Sequence, residues 1–141
     1  MSRKKARIGQ MQVLYQMDIT DDFSSDGLNT FLENFEFSEE EKDYINSTIP
    51  EIIKNLENID QTIQSHLEGW SLNRLAKVDK EVLRIAIYEI LYRDDIPEEV
   101  SINEAVEISK QFGSSESSKF INGILGSIYR SMHVENQREQ Q

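Results

Sequence analysis

Between Leu75 and Leu91 the side chains of Leu75, Val78, Val82, Leu83, Ala86, Ile87, Ile90 and Leu91 recur at the period of an α-helix over about five turns. This is the longest apolar pattern in the chain, and it predicts the central helix of the fold. Asp94-Asp95-Ile96-Pro97 ends it.

Other helices are expected on both sides of it. The first runs from about Arg3 to Asp18, with Ile8, Met11, Leu14 and Tyr15 on one stripe and Val13 and Met17 on another side, which predicts a helix held between neighbours. Asp21 to Gly27 reads as a loop, Leu28 to Phe35 as a short helix, and Ser38 with Glu41 as a capping box for a third helix that contains Pro50. Pro50 is expected to bend or divide that helix. Ile59, Ile63 and Leu67 mark a further helix ending near Gly69, after which Trp70-Ser71-Leu72 turns the chain.

Beyond the central helix, Ser101-Ile102-Asn103-Glu104 has the form of a capping box, and Gly113 is placed to end the helix it would open. A last helix from about Ser117 to Met132 sets Ile121, Ile124, Leu125, Ile128 and Met132 on one face. No sustained alternation of apolar and polar residues is present, so the fold class is all-α, with about six to eight helices. Residues 1–134 are read as one helical domain and 135–141 as a polar, frayed tail.

With no cysteine, a disulfide framework, a thiolate metal site and a cysteine nucleophile are all excluded. No apolar run approaches the roughly 20 residues that span a bilayer, and the start lacks the apolar segment of a secretory signal. A soluble, cytoplasmic protein without membrane contact is expected. Gly-rich phosphate loops, HExxH and GxSxG are missing, and His66 and His133 stand alone, so no catalytic residue, metal site or cofactor is assigned.

Charge is more informative. The chain carries a net charge of -11, yet Arg3, Lys4, Lys5 and Arg7 place four of its 15 basic residues at the start. A basic patch on an anionic protein is a candidate phosphate-contacting surface, although it also reads as a soluble tail. Lys119 and Phe120 open the last helix, where a cation beside a ring suits an unpaired base; the competing reading places Phe120 in the core. Gly123 and Gly126 weaken that helix and suggest close approach by another backbone or a ligand. Asn122 is read as a local cap or cross-link. Arg74 and Asp79 are read as structural, a partly buried arginine needing a partner and an acid suiting a helix start.

Three segments carry a resemblance to a known family. They are Trp70-x-x-x-Arg74-x-x-x-x-Asp79-x-x-x-Leu83-Arg84-x-Ala86-x-Tyr88-Glu89, then Ile96-Pro97-x-x-Val100-Ser101-Ile102-Asn103-Glu104-Ala105-Val106-Glu107, then Lys119-Phe120-Ile121-Asn122-Gly123-Ile124-Leu125. Together they closely resemble the bacterial NusB family of transcription antitermination proteins. The start, from Arg3 to Tyr15, is similar to the family too, whereas Asp18 to Leu67 carries little of the likeness.

The resemblance implies a single all-α domain of about seven helices, within the range the periodicity allows, in two packed helical subdomains. It implies binding of single-stranded boxA RNA from ribosomal operon leaders, together with the NusE-type ribosomal protein of the small subunit. It also implies a place on the elongating RNA polymerase with other Nus factors, and it leaves a homodimer open. Carried over residue by residue, the RNA-binding positions are Arg3, Lys4, Lys5, Arg7, Glu116, Lys119 and Phe120. Glu116 departs in length from the aspartate often seen there. Arg74, Asp79, Asn103, Glu104 and Asn122 are taken as structural positions. The same helical domain also occurs fused to an RNA cytosine methyltransferase, and a helical protein-interaction adaptor without RNA binding is the alternative from another class.

Overall fold

The computed structural model describes the backbone of residues 3–139 and the side chains of residues 3–134. Among the described residues there are seven α-helices and no strand: α1 (Arg3–Thr20), α2 (Ser25–Asn34), α3 (Glu39–Lys54), α4 (Leu56–Gln64), α5 (Lys77–Tyr92), α6 (Glu98–Phe112) and α7 (Ser117–Glu139), with a 3-10 turn at Leu72–Arg74 before α5. The chain divides into two compact units, Met1–Leu56 and Glu57–Gln141. No helix among the described residues is long and apolar enough to cross a membrane.

In the first unit α1 packs chiefly on α3, with α2 against both. Ala6, Met11, Val13, Leu14 and Met17 of α1 are buried, as are Ile45, Ile49 and Ile52 of α3. A polar link crosses this interior, Gln10 Nε2 donating to Thr48 Oγ1 at 2.7 Å. Helix α1 outlasts its expected end near Asp18. It stops where Asp21 adopts a left-handed backbone (φ 53) and the Asp22 amide bonds back to the Met17 carbonyl at 3.2 Å.

The expected capping box is present: the Glu41 amide donates to Ser38 Oγ at 3.1 Å, and the Ser38 amide to Glu41 Oε1 at 2.9 Å. A cap of this kind stabilises a helix by about 1 kcal/mol. Pro50 lies inside α3 and does not divide it. Its missing N–H removes one rung of the ladder, and the buried row Ile45, Ile49, Ile52 carries the helix through.

In the second unit every residue of α5 from Asp79 to Ile90 is buried. Helices α6 and α7 pack on it and on each other. Two of its buried charged groups, Arg84 and Glu89, are held by polar partners. Arg84 donates to Asp60 of α4 at 2.9 and 2.8 Å and to Glu81 at 2.9 Å, and Glu89 accepts from Ser101 Oγ at 2.8 Å.

That last bond corrects the expected start of α6. Ser101 does not cap the helix; α6 begins one turn earlier, after Pro97, with Glu98 and Glu99 in its first turn. Proline pre-sets the entry angle, the two acids suit the positive helix end, and the Ser101 hydroxyl is drawn inward to the buried carboxylate. Asn103 is accordingly an exposed helix residue, and Glu104 Oε2 is shielded from solvent with no hydrogen bond among the described residues. Gly113 caps the end of α6 as expected. Helix α7 continues through Glu139, past the boundary at 134; Gln140 and Gln141 lie outside the described residues.

Candidate nucleic-acid interface

The basic start of the chain is the first turn of α1, where aromatic and acidic neighbours already hold several of its cations. Arg3 Cζ stands 4.5 Å from the centroid of the Tyr44 ring. Lys5 Nζ lies 5.8 Å from the Phe37 centroid and 4.0 Å from Glu41 Oε1, the oxygen that also serves the capping box. Lys4 and Lys5 are exposed and Arg3 half-buried, so three of the four expected cations line the surface.

Arg7 does not join them. It is 4% exposed, because it shares the inner face of α1 with Gln10, Met11 and Leu14, one and two turns on. An arginine in that register is part of the interior.

The start of α7, in the second unit, matches its expected arrangement. Ile121, Leu125 and Ile128 are buried, Ile124 and Met132 half-buried, while Lys119, Asn122 and Gly123 face solvent. Asn122 therefore contributes nothing to a core. Among the described residues a Cβ at Gly123 would meet nothing within 4 Å, and one at Gly126 only the tip of Arg130 at 3.2 Å. Among the described residues no backbone makes the close approach that the two glycines suggested.

Phe120 is half-buried, neither a core residue nor a free ring. It lines an open cavity of about 350 Å³ together with Glu116, Ser117, Trp70, Arg74 and Asp79. Glu116 and Lys119 are both exposed, Glu116 on the cavity wall and Lys119 next to Phe120 in the chain.

Trp70 reaches this cavity because its turn is pinned. Gly69 takes a left-handed backbone (φ 72) that ends the preceding segment. The Gln64 side chain then grips the chain twice, donating to the Trp70 carbonyl at 2.7 Å and accepting from the Leu72 amide at 2.8 Å. The indole itself remains 61% exposed. Sequence periodicity had no means of finding it, since Trp70 belongs to no helix; a lone tryptophan in a turn was the available signal.

Arg74 and Asp79, both expected to be structural, line the same cavity. Arg74 is exposed, Asp79 is 9% exposed, and no ion pair or hydrogen bond joins them. Asp79 Oδ1 is shielded from solvent and accepts no hydrogen bond among the described residues. A buried acceptor left in that state costs about 1–3 kcal/mol, and more when charged. Among the described residues no group of three or more His, Asp or Glu is placed to hold a metal ion.

Comparison with known proteins gives a consistent picture. The sequence model described as the NusB family matches residues 4–130. A transcription antitermination protein NusB of Acetivibrio thermocellus is 43% identical over 130 residues, spanning 92% of this chain and 90% of that protein. One of Alkaliphilus oremlandii is 47% identical over 126 residues, spanning 89% and 91%. Among solved structures, T. maritima NusB superposes with a TM-score of 0.83 at 39% identity over 92% of both chains. A chain from the complex of antitermination factors NusB and NusE with dsRNA superposes with a TM-score of 0.80 at 25% identity, over 92% of this chain and 96% of that one.

Proposed function

This chain belongs to the NusB family, and on that premise we propose that it is a transcription antitermination factor, binding boxA RNA of ribosomal RNA operons together with a NusE-type ribosomal protein. The bound pair then travels with RNA polymerase and other Nus factors in the cytoplasm and helps elongation pass premature termination sites. The role is one of binding, without catalysis.

The observation that carries this reading is the start of α7. Lys119 is exposed beside a half-buried Phe120, whose ring borders an open cavity and is not absorbed into a core. A cation for the phosphate next to an accessible ring is the arrangement single-stranded RNA requires, because unpaired bases stack and hydrogen-bond only where a ring and polar groups are open to them. We assign the RNA contacts to Glu116, Lys119 and Phe120 in the second unit and to Arg3, Lys4 and Lys5 in the first. Arg7, being buried, supports the helix that presents those three. With a net charge of -11, much of the surface repels phosphate, which favours weak binding alone and a partner that enlarges the RNA surface.

The test is binding of a short boxA RNA and a scrambled control, each with and without the NusE-type protein, at fixed salt. Tighter binding of boxA when the partner is present is the expected result. Equal, weak binding of both RNAs in both conditions would favour an adaptor that contacts proteins alone.

A further inference from the structure

We propose that the groove between α1 and α2 is a docking site for a cationic protein segment, which inserts one arginine side chain into the cavity bordered by Asp22 and Asp26. The inference goes beyond the RNA reading and uses none of its residues.

The order of surfaces in the cavity selects the occupant. It is open and measures about 240 Å³. Its floor is apolar, made of Val13 and Met17 from α1 and Phe31 from α2, each at most 3% exposed. Thr20, Asp22, Asp26 and Thr30 stand exposed around it, and no lysine, arginine or histidine lines it. An apolar stem with a cationic, hydrogen-bonding head fits an apolar floor under an acidic rim.

Asp22 is held ready as an acceptor. Its Oδ1 accepts from the Ser24 amide at 3.0 Å, and hydrogen bonds from the side chain and backbone of Ser24 keep its carboxyl below the ordinary value. Its Oδ2 lies towards Gly27, 3.6 Å from where a Cβ there would stand. Gly27 is itself on the wall, and the side chain it lacks leaves that space to a ligand.

Charge of one sign extends well beyond the wall. From Ile8 to Glu41 the chain has nine acidic residues and no lysine, arginine or histidine. That stretch forms all of α2 and most of α1, so the field over the groove repels phosphate and draws a cationic partner in. A guanidinium suits it better than an ammonium group, because five donors in a plane can serve two carboxylates and a hydroxyl together, and its hydration is weaker. Beyond the floor, Phe35 is 46% exposed and stacks on Phe31 with centroids 4.4 Å apart. A second cation of the same segment finds an open ring there.

The full-length, isotope-labelled protein is titrated with a short acetylated and amidated peptide of alternating arginine and serine. Two further peptides carry lysine, or the neutral isostere citrulline, in place of arginine. Amide shifts concentrated at Thr20, Gly27 and Thr30 are expected, with arginine bound about threefold or more tighter than lysine and citrulline not at all. Asp26→Asn should weaken the arginine peptide by a similar factor, whereas Asp43→Asn, the same loss of charge at an exposed position of α3, should not. Gly27→Leu should block the cavity with every charge in place, since the first carbon of the new side chain makes only ordinary contacts, at 3.6 Å or more. If that variant melts lower, Asp26→Asn decides.

Equal binding of the three peptides, or equal losses from Asp26→Asn and Asp43→Asn, overturns the proposal and leaves a diffuse attraction to an acidic surface. Shifts centred on Trp70 and Phe120 also overturn it, because they place the cation in the other cavity. A uridine oligonucleotide that moves the amides of the groove would assign it to RNA and sink the protein partner.

Discussion

The Phe37 ring occupies the space where a side chain at Gly9 would begin: a Cβ there would stand 2.9 Å from Phe37 Cε1 and Cζ. The same Cβ would lie 2.6 Å from Cδ1 of the fully buried Ile45. Gly9 thus lets Phe37 reach α1 one turn after Lys5, which is how that ring comes under the ammonium group.

Gly9→Ala should therefore destabilise the protein despite the better helix propensity of alanine. Propensity favours the change by about 1 kcal/mol, while overpacking against a buried side chain costs about 1–3 kcal/mol. Denaturant unfolding should show a net loss on the order of 1 kcal/mol; a gain would mean that Ile45 and Phe37 yield without cost.

Gly123→Ala should do the opposite. Among the described residues nothing stands within 4 Å of the new methyl group, so helix propensity decides the sign. A stabilisation of about 0.5–1 kcal/mol is expected in thermal unfolding. A loss of boxA or partner affinity in the same variant would place a ligand against this exposed stretch of α7.

Arg84 holds Asp60 and the fully buried Glu81. Arg84→Ala strips a buried carboxylate of a hydrogen-bonded cation, and the loss should be about 3–5 kcal/mol. Asp60→Asn, at a partly exposed partner, should cost distinctly less. Equal losses in urea titrations of the two variants would contradict this ranking.

Lys4 and Arg7 should separate binding from folding. Lys4→Ala should leave the melting temperature unchanged and lower the slope of log K against log salt for boxA RNA by about 0.7, the share of one phosphate contact with a single strand. Arg7→Ala, removing a buried side chain, should lower the melting temperature instead. A Lys4 variant with an unaltered salt slope would take that residue out of the RNA surface.

Tyr129 donates its hydroxyl to Glu99 Oε1 at 3.1 Å, and this bond to a carboxylate holds the phenol above its ordinary ionisation range. The protonated phenol is the form the fold favours. Its contribution is complete below the unfolded value of about 10 and is lost as pH rises through the raised folded value. Glu99→Gln should move one phenol downward in an ultraviolet pH titration; superimposable curves would show that the bond is not formed in solution.

Much of this architecture is legible along the chain, because helix period, caps and terminators are local properties of the backbone. The spacing of Leu75 to Leu91 marks α5, Ser38 and Glu41 mark the start of α3, Gly113 marks the end of α6, and the stripe from Ile121 to Ile128 sets the buried face of α7. From that stripe follows the exposure of Lys119. Elsewhere a residue's surroundings depend on segments distant in sequence, and there the local reading misleads. Ser101 has the form of a cap until a carboxylate twelve residues earlier, Glu89, takes its hydroxyl. Arg7 looks like its basic neighbours until the packing of α1 turns it inward. The cavity is the extreme case, since Trp70 comes from a turn, Asp79 from α5 and Phe120 from α7. What the sequence determined by itself was the set of helices and the face each one buries, because both follow from short-range geometry. Which side chains meet, and which buried oxygen is left without a donor, was decided only when the helices packed, because burial and hydrogen bonding depend on what the rest of the chain brings alongside.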